Sequence, residues 1–203
     1  MMVNYIHKGD IPADLTFSNA IAIDTETTGL KINRDRLCLL QLSSGNGDSH
    51  IVQFLENYEA PRLRVVLQDS AIIKIFHFAR FDLGIILKYL NISCSSVYCT
   101  KIASKLSRTN TDRHGLKDLC RDLLSVELSK YYQSSDWASP ELSKEQIEYA
   151  ASDVLYLHAI KKKLDEILTR EKRMYLAEAC FNFLPHQAML DVAGWEDENI
   201  FSH

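Results

Sequence analysis

Apolar and polar residues alternate with a two-residue period along Ile21-Ala22-Ile23-Asp24-Thr25-Glu26, which predicts a β-strand over about Ala20 to Glu26. Arg36-Leu37-Cys38-Leu39-Leu40-Gln41-Leu42-Ser43 is a short apolar run and reads as a second strand. Gly45-Asn46-Gly47-Asp48 is turn chemistry joining it to a third, His50-Ile51-Val52-Gln53-Phe54, so the first three strands form a meander. The preceding segment, through Ser18, mixes polar and apolar residues, with extended chain at Ile11-Pro12. Helical spacing follows over Pro61 to Gln68, then a β-rich run from Ala71 to His77. A helix beginning near Ala79 carries Leu83, Ile86, Leu87 and Leu90 on one face, and Val97 to Thr100 suits a short strand.

Further on, Lys101 to Leu106 and Leu116 to Leu124 read as helices separated by a polar loop. Ser143 with Gln146 three residues on is a capping box. It starts a predicted long helix whose apolar positions Ile147, Ala150, Val154, Leu157 and Leu164 keep the helical period to about Leu168. A last helix covers roughly Arg173 to Leu184, where Pro185 is expected to end or kink it. The tail beyond Gly194 is polar except for Trp195, Ile200 and Phe201, and Trp195 and Phe201 are expected to dock on the same subunit or on a neighbour.

The 203 residues suit a single α/β domain, 1–203, with no repeat or low-complexity linker. The net charge of −4 disfavours a grip on long duplex by phosphate neutralisation, but leaves room for a small or single-stranded substrate on a local basic patch. No run is long and apolar enough to span a membrane, and no basic-then-apolar start marks a secretion signal. The five cysteines are odd in number and lack a Cys-x-x-Cys pair. That points away from disulfides and zinc, towards a reducing cytoplasm.

Candidate chemistry begins with Asp24 and Glu26. Two apart on a strand, they share a face and repel each other, and a hard divalent cation would relieve the repulsion. The bland alternative is a polar strand end before a Thr-Gly turn. Asp82 leads an otherwise apolar helix; it is either a ligand or a charge favoured by the helix N-terminus. Tyr149 and Asp153 are four apart on the long helix and stack on one face, as a site or as a buried hydrogen-bonded pair.

Taken together and in order, these stretches resemble the DEDDy exonucleases, and within them the ribonuclease D-like group. The resemblance rests on Ile23-Asp24-Thr25-Glu26-Thr27, on Lys74 to Asp82 and on Tyr149 to Leu157. Gly115-Leu116-Lys117-Asp118-Leu119 and Gln133-Ser134-Ser135-Asp136-Trp137 add to it. It spans about residues 20 to 168, leaving a C-terminal helix and tail over 171–203. It implies a ribonuclease H-like exonuclease fold, a five-stranded mixed sheet flanked by helices. It also implies 3′-to-5′ phosphodiester hydrolysis with two Mg²⁺ or Mn²⁺ ions per site. Asp24, Glu26, Asp82 and Asp153 match the metal-binding carboxylates, and Tyr149 the tyrosine that positions the attacking water. Thr25 falls where a backbone contacts the terminal ribose, and Leu30 where an apolar side chain meets the terminal base.

This chain departs from the pattern in one place: Phe78 stands where many relatives carry asparagine. His77 is then either the substitute contact to substrate or a strand-end histidine bonded to backbone. About 35 residues follow the matching region, too few for the helical nucleic-acid-binding domains of full-length ribonuclease D. The resemblance is therefore closest to the single-domain nanoRNase C group, which implies short single-stranded RNA as substrate and a ring-shaped homo-oligomer. Arg108 and Arg113 lie in a basic cluster with Lys101, Lys105 and Lys117, which meets substrate phosphates or is a solvated face. Trp137 walls the site or packs behind it. The expectation is a 3′-5′ exoribonuclease acting on short oligoribonucleotides. The alternatives are trimming of structured RNA 3′ ends, a single-stranded DNA exonuclease, or an inactive nucleic-acid-binding module.

Overall fold

The structure is a computed structural model and describes residues 3–128 and 135–203. Gln133 and Ser134, part of one stretch used above, lie outside the described residues. Six strands form one sheet: β1 (Asn4–Lys8), β2 (Ala20–Thr27), β3 (Leu37–Ser43), β4 (Ser49–Gln53), β5 (Ile73–Phe76) and β6 (Val97–Cys99). Their spatial order is β1-β4-β3-β2-β5-β6. The β2-β3-β4 meander is antiparallel, and β1, β5 and β6 join in parallel. The expected five strands are thus six. The extra one is β1, whose exposed, intermediate and polar residues give no clean alternation, and which is recruited by parallel pairing to β4.

Among the described residues, helices α1 (Pro61–Gln68), α2 (Ala79–Leu90), α3 (Thr100–Ser107), α4 (Leu116–Leu124), α5 (Lys144–Leu155), α6 (Leu157–Arg170) and α7 (Met174–Leu190) pack around the sheet. β3 is buried along its whole length, which is why its sequence reads as an apolar run rather than an alternation. The main core joins Ile21 and Ile23 of β2 to Leu83 and Ile86 of α2, Leu157 and Leu164 of α6, and Phe181 and Leu184 of α7.

Two helix expectations are corrected. The long helix from Ser143 divides at Tyr156, whose backbone (φ −100°, ψ −7°) leaves the regular helix. The capping box at Ser143 and Gln146 is present. The division lets α5 turn its buried face to β2, β3 and β4 while α6 packs on α3 and α4. Helix α7 runs past Pro185 to Leu190 and continues into a π-type turn, Asp191–Trp195. Leu184 and Ala188, buried on either side of the proline, hold the helix through a position that costs it a backbone donor.

Candidate active site

Asp24 and Glu26 stand on β2, an interior strand paired on both sides, where Asp24 faces Gln41 and Glu26 faces Leu39. The register slips between Glu26 and Thr27, so regular pairing ends at the second acid. Helix α5 crosses this sheet face and brings Asp153 to the pair. Carboxylate oxygens of Asp24, Glu26 and Asp153 lie within 4.8 Å of one another. Asp82, buried in the first turn of α2, borders the same cleft. Its Oδ1 accepts a 2.6 Å hydrogen bond from the Thr25 hydroxyl. The cleft measures about 340 Å³ and also takes in Tyr149, Leu30, His77 and Lys117.

The electrostatics follow from this crowding. Burial, then the charges of Asp82, Asp153 and Glu26, push Asp24 well above the ordinary carboxylate range. Burial, then Asp153 and Asp82, raise Glu26 to about 9. Burial raises Asp153 and Asp82 to about 7 each; the hydroxyls of Tyr149 and Thr25 respectively pull the other way. Among the described residues no Lys or Arg forms an ion pair with any of the four acids. An all-oxygen, uncompensated donor set of this kind fits hard divalent cations rather than soft metals. Burial and then the same acids raise the Tyr149 phenol above its ordinary value, so it stays protonated at neutral pH.

His77 is held in one tautomer by its neighbours. The Thr100 hydroxyl donates its single proton to the Phe76 carbonyl at 3.1 Å. The 2.9 Å contact between Thr100 Oγ1 and His77 Nδ1 therefore needs the proton on Nδ1. Burial and nearby Lys101 lower the imidazole to about 3, so it is neutral and Nε2 carries a lone pair. Phe78, next in the chain, takes a left-handed backbone (φ 68°) and is half-exposed. The Lys101 ammonium lies 4.1 Å from its ring centroid.

The loop after β2 is shaped by Gly29. A side chain there would press on the Asp35 carboxylate, which tucks in beside the glycine and accepts from the Lys31 amide. Leu30, beside it on the cleft rim, is 82% exposed.

Three expected substrate residues lie elsewhere. Trp137 is buried with Cys38, Leu39, Ile51 and Ala150. Its ring centroid is 5.9 Å from that of Tyr149, so it backs the tyrosine instead of walling the cleft. Apolar packing with those four side chains outweighs the polarity of its sequence neighbours. Arg108 does not line the cleft: it pairs with Asp122 at 2.5 Å and donates to the Arg113 carbonyl at 3.0 Å. Arg113 is exposed and outside the cleft as well. From their basic cluster Lys117 lines the cleft, because Gly115-Leu116 turns α4 towards the acids. Phe81 and Leu128 also line it. Phe81, one residue before Asp82, was recoverable from its motif; Leu128 follows α4 with no motif around it. Gln41, across from Asp24, is wholly buried, and neither atom of its side-chain amide finds a partner among the described residues.

Residues 10–169 match the model of a 3′-5′ exonuclease family. A ribonuclease D of Gluconacetobacter diazotrophicus is 33% identical over 155 residues, which cover 76% of this chain and 39% of that protein. A DNA polymerase I of Aquifex aeolicus is 33% identical over 146 residues, covering 72% of this chain and 24% of that protein. The chain therefore spans well under half the length of either. Among solved structures, Brucella melitensis NrnC is 50% identical with a TM-score of 0.96, over 99% of this chain and 98% of that one. Further structures of that protein hold pGG and Mg²⁺. The likeness fixes the ribonuclease H-like exonuclease fold, with six strands in place of five. With a family match that covers both acids of β2, Asp82, Tyr149 and Asp153, the chain belongs to the 3′-5′ exonuclease family.

Proposed function

We propose that the protein is a metal-dependent 3′-5′ exoribonuclease that hydrolyses short oligoribonucleotides, dinucleotides included, to mononucleotides. One observation carries the reading: acids from β2, α2 and α5 meet in one cleft, and among the described residues no Lys or Arg is ion-paired to any of them. Asp24, Glu26 and Asp153 would hold the divalent ions, Mg²⁺ or Mn²⁺, two per site, with Asp82 beside them. Bound there, such ions supply a water of lowered pKa and stabilise charge on the leaving oxygen. Tyr149, a protonated phenol, orients the attacking water and does not take its proton. His77 Nε2 accepts from a ribose hydroxyl, which favours RNA. The Thr25 backbone meets the terminal ribose, Leu30 lies against the terminal base, and Lys117 meets phosphate. Arg108 and Arg113 serve only incoming substrate beyond the cleft, and Trp137 acts through Tyr149.

Short substrates are supported by the pGG-bound NrnC, which this chain matches over 100% of both lengths, and by the net charge of −4. The reading includes a homo-oligomer, a ring by resemblance, for which the exposed Tyr175 and Phe201 offer apolar surface. It also places the protein in the cytoplasm; no helix among the described residues is long and apolar enough to cross a membrane. The polymerase relative favours a second reading, removal of nucleotides from single-stranded DNA. The ribonuclease D relative favours a third, trimming of structured RNA. Rates on a dinucleotide, a seven-residue RNA, a tRNA precursor and single-stranded DNA, with Mg²⁺ or Mn²⁺, decide among them. The dinucleotide is expected to be cleaved fastest. Persistence of both short RNAs overturns the proposal.

A further inference from the structure

The segment after α7 lies outside the family match, which ends at residue 169. Yet it is tied to two parts of the cleft. Asp191, wholly buried, receives a two-pronged contact from Arg80, Nε to Oδ2 and Nη2 to Oδ1, both at 2.7 Å. Arg80 sits in the first turn of α2, two residues before Asp82. Its Nη2 also donates to the Glu196 carbonyl at 2.7 Å. Gln187 donates to the same Oδ1 of Asp191 at 2.8 Å, so that oxygen is doubly engaged.

The second tie is to the loop that carries Leu30. Asn33 donates to the Asp191 carbonyl at 3.1 Å. Lys31, next to Leu30, forms a 2.9 Å ion pair with Asp197. The loop also rests on α2 directly. A side chain at Gly84 would meet Ile32 Cδ1 at 2.6 Å, so the helix surface is left bare where Ile32 seats. Asp191 is thus the joint between the α2 turn that carries Asp82 and the rim that carries Leu30. Ile32 seats the loop in the core, while Leu30, two residues earlier, is 82% exposed and depends on the loop backbone for its place.

We infer that Asp191 is a positioning residue of the cleft: through Arg80 and Asn33 it fixes the Leu30 rim against the first turn of α2, and so sets how tightly the terminal nucleotide is seated. This rests on the exonuclease reading above. A charged pair with one partner wholly buried is not needed for stability as such, because apolar replacements of such pairs often cost nothing. A bidentate guanidinium–carboxylate contact does fix direction, and loss of a seat that holds substrate and transition state alike shows as a rise in KM with kcat kept.

The test compares steady-state kinetics on a dinucleotide, with Mg²⁺, for the unchanged protein, Asp191→Asn, and the double variant Arg80→Met/Asp191→Leu. The double variant removes the pair without leaving a buried charge, so it keeps the fold where Asp191→Asn fails to. We expect KM to rise by about tenfold, with kcat within about twofold, since a loosened seat weakens binding while leaving the acids of β2 and α5 in place. The Mg²⁺ concentration for half-maximal rate stays unchanged. A merely structural pair would lower kcat through loss of folded protein at constant KM. That result, or unchanged kinetics in the folded double variant, overturns the positioning role. Failure of the unchanged protein to hydrolyse the dinucleotide, or any of the other nucleic acids, overturns the exonuclease reading instead.

Discussion

The floor of the cleft and its rim are built from opposite kinds of structure. The floor acids stand on an interior strand, on the first turn of α2 and in the last turn of α5, where backbone pairing and core packing leave them little freedom. The rim is loop: Leu30 and Phe78 are 82% and 49% exposed, and their backbone is set by a glycine, a tucked Asp35 and a left-handed residue. The floor carries crowded charge that burial makes costly, while the rim carries bare apolar surface. Chemistry that needs several groups fixed together has gone to the regular elements, and contact with a variable ligand to the loops.

The largest effect should come from the floor. Asp24→Asn keeps the shape of the side chain but removes a charge from the cluster. Loss of several kcal/mol of metal-derived transition-state stabilisation predicts a fall in hydrolysis of at least about 10³-fold. The same variant should melt at a higher temperature than the unchanged protein in EDTA at pH 8, because one member of a repelling set is gone. A variant that lost both activity and fold would show the acid to be structural, and would erase the distinction between floor and rim.

Titration of the floor comes next. The acids have folded-state pKa values raised from the ordinary range near 4 to about 7 for Asp82 and Asp153 and about 9 for Glu26. Across that window the folded state holds protons that the unfolded chain has released, so stability falls as pH rises. Melting curves in EDTA should therefore move down from about pH 4 to about pH 9, most steeply between about pH 5 and pH 7, where Asp82, Asp153 and Glu26 all hold protons the unfolded chain has released. Mg²⁺ or Mn²⁺ should reverse the trend, since the ions compete with those protons and bind the folded form alone. A flat profile in EDTA would mean that folding does not raise these acids above their ordinary range.

The floor was also the legible part. Strand and helix periods put Asp24 with Glu26, and Tyr149 with Asp153, on shared faces before any coordinates exist, while Asp82 and the meeting of all five were legible only through the resemblance to the DEDDy exonucleases. What the sequence hid depended on partners far along the chain. Strand β1 is recruited by β4, so Asn4–Lys8 carries no internal period of its own. The break at Tyr156 reflects the different surfaces that α5 and α6 cover, though the apolar period runs straight through it. Trp137 looks like a loop aromatic until the pocket of Cys38, Leu39, Ile51 and Ala150 is assembled. Arg108 and Arg113 looked equivalent to Lys117 because a basic count cannot tell which charges a neighbouring Asp122 has already claimed.

Tyr149 links the two regions, reaching the floor from a helix backed by Trp137. Removing its hydroxyl in Tyr149→Phe leaves the ring contact intact and takes away the group proposed to align the water. A fall in kcat of about 10²-fold is expected, at the low end for a positioned hydroxyl or proton-handling group. Neither KM nor the Mg²⁺ requirement should change. At the rim, Leu30→Ala should do the reverse. It removes apolar surface worth about 1.5 kcal/mol against a bound base, so KM for the dinucleotide rises about tenfold with kcat nearly unchanged.

The smallest effect is expected at Arg108. Its side chain is 11% exposed and committed to Asp122 and to the Arg113 carbonyl, so little of its charge is offered to a phosphate. Arg108→Ala loses a partly screened surface pair, and its cost on kcat/KM for a dinucleotide should be below about threefold. Lys117→Ala, which removes an ammonium from the cleft itself, should cost more and weaken the salt dependence of KM. Measuring both across RNAs of two to seven residues tests where the rim ends. If the Arg108 effect grows with length while that of Lys117 stays constant, the basic loop serves nucleotides beyond the cleft. If Arg108→Ala is the more damaging of the two on the dinucleotide, its pairing with Asp122 must open to admit substrate, and the rim extends past the residues that line the cleft.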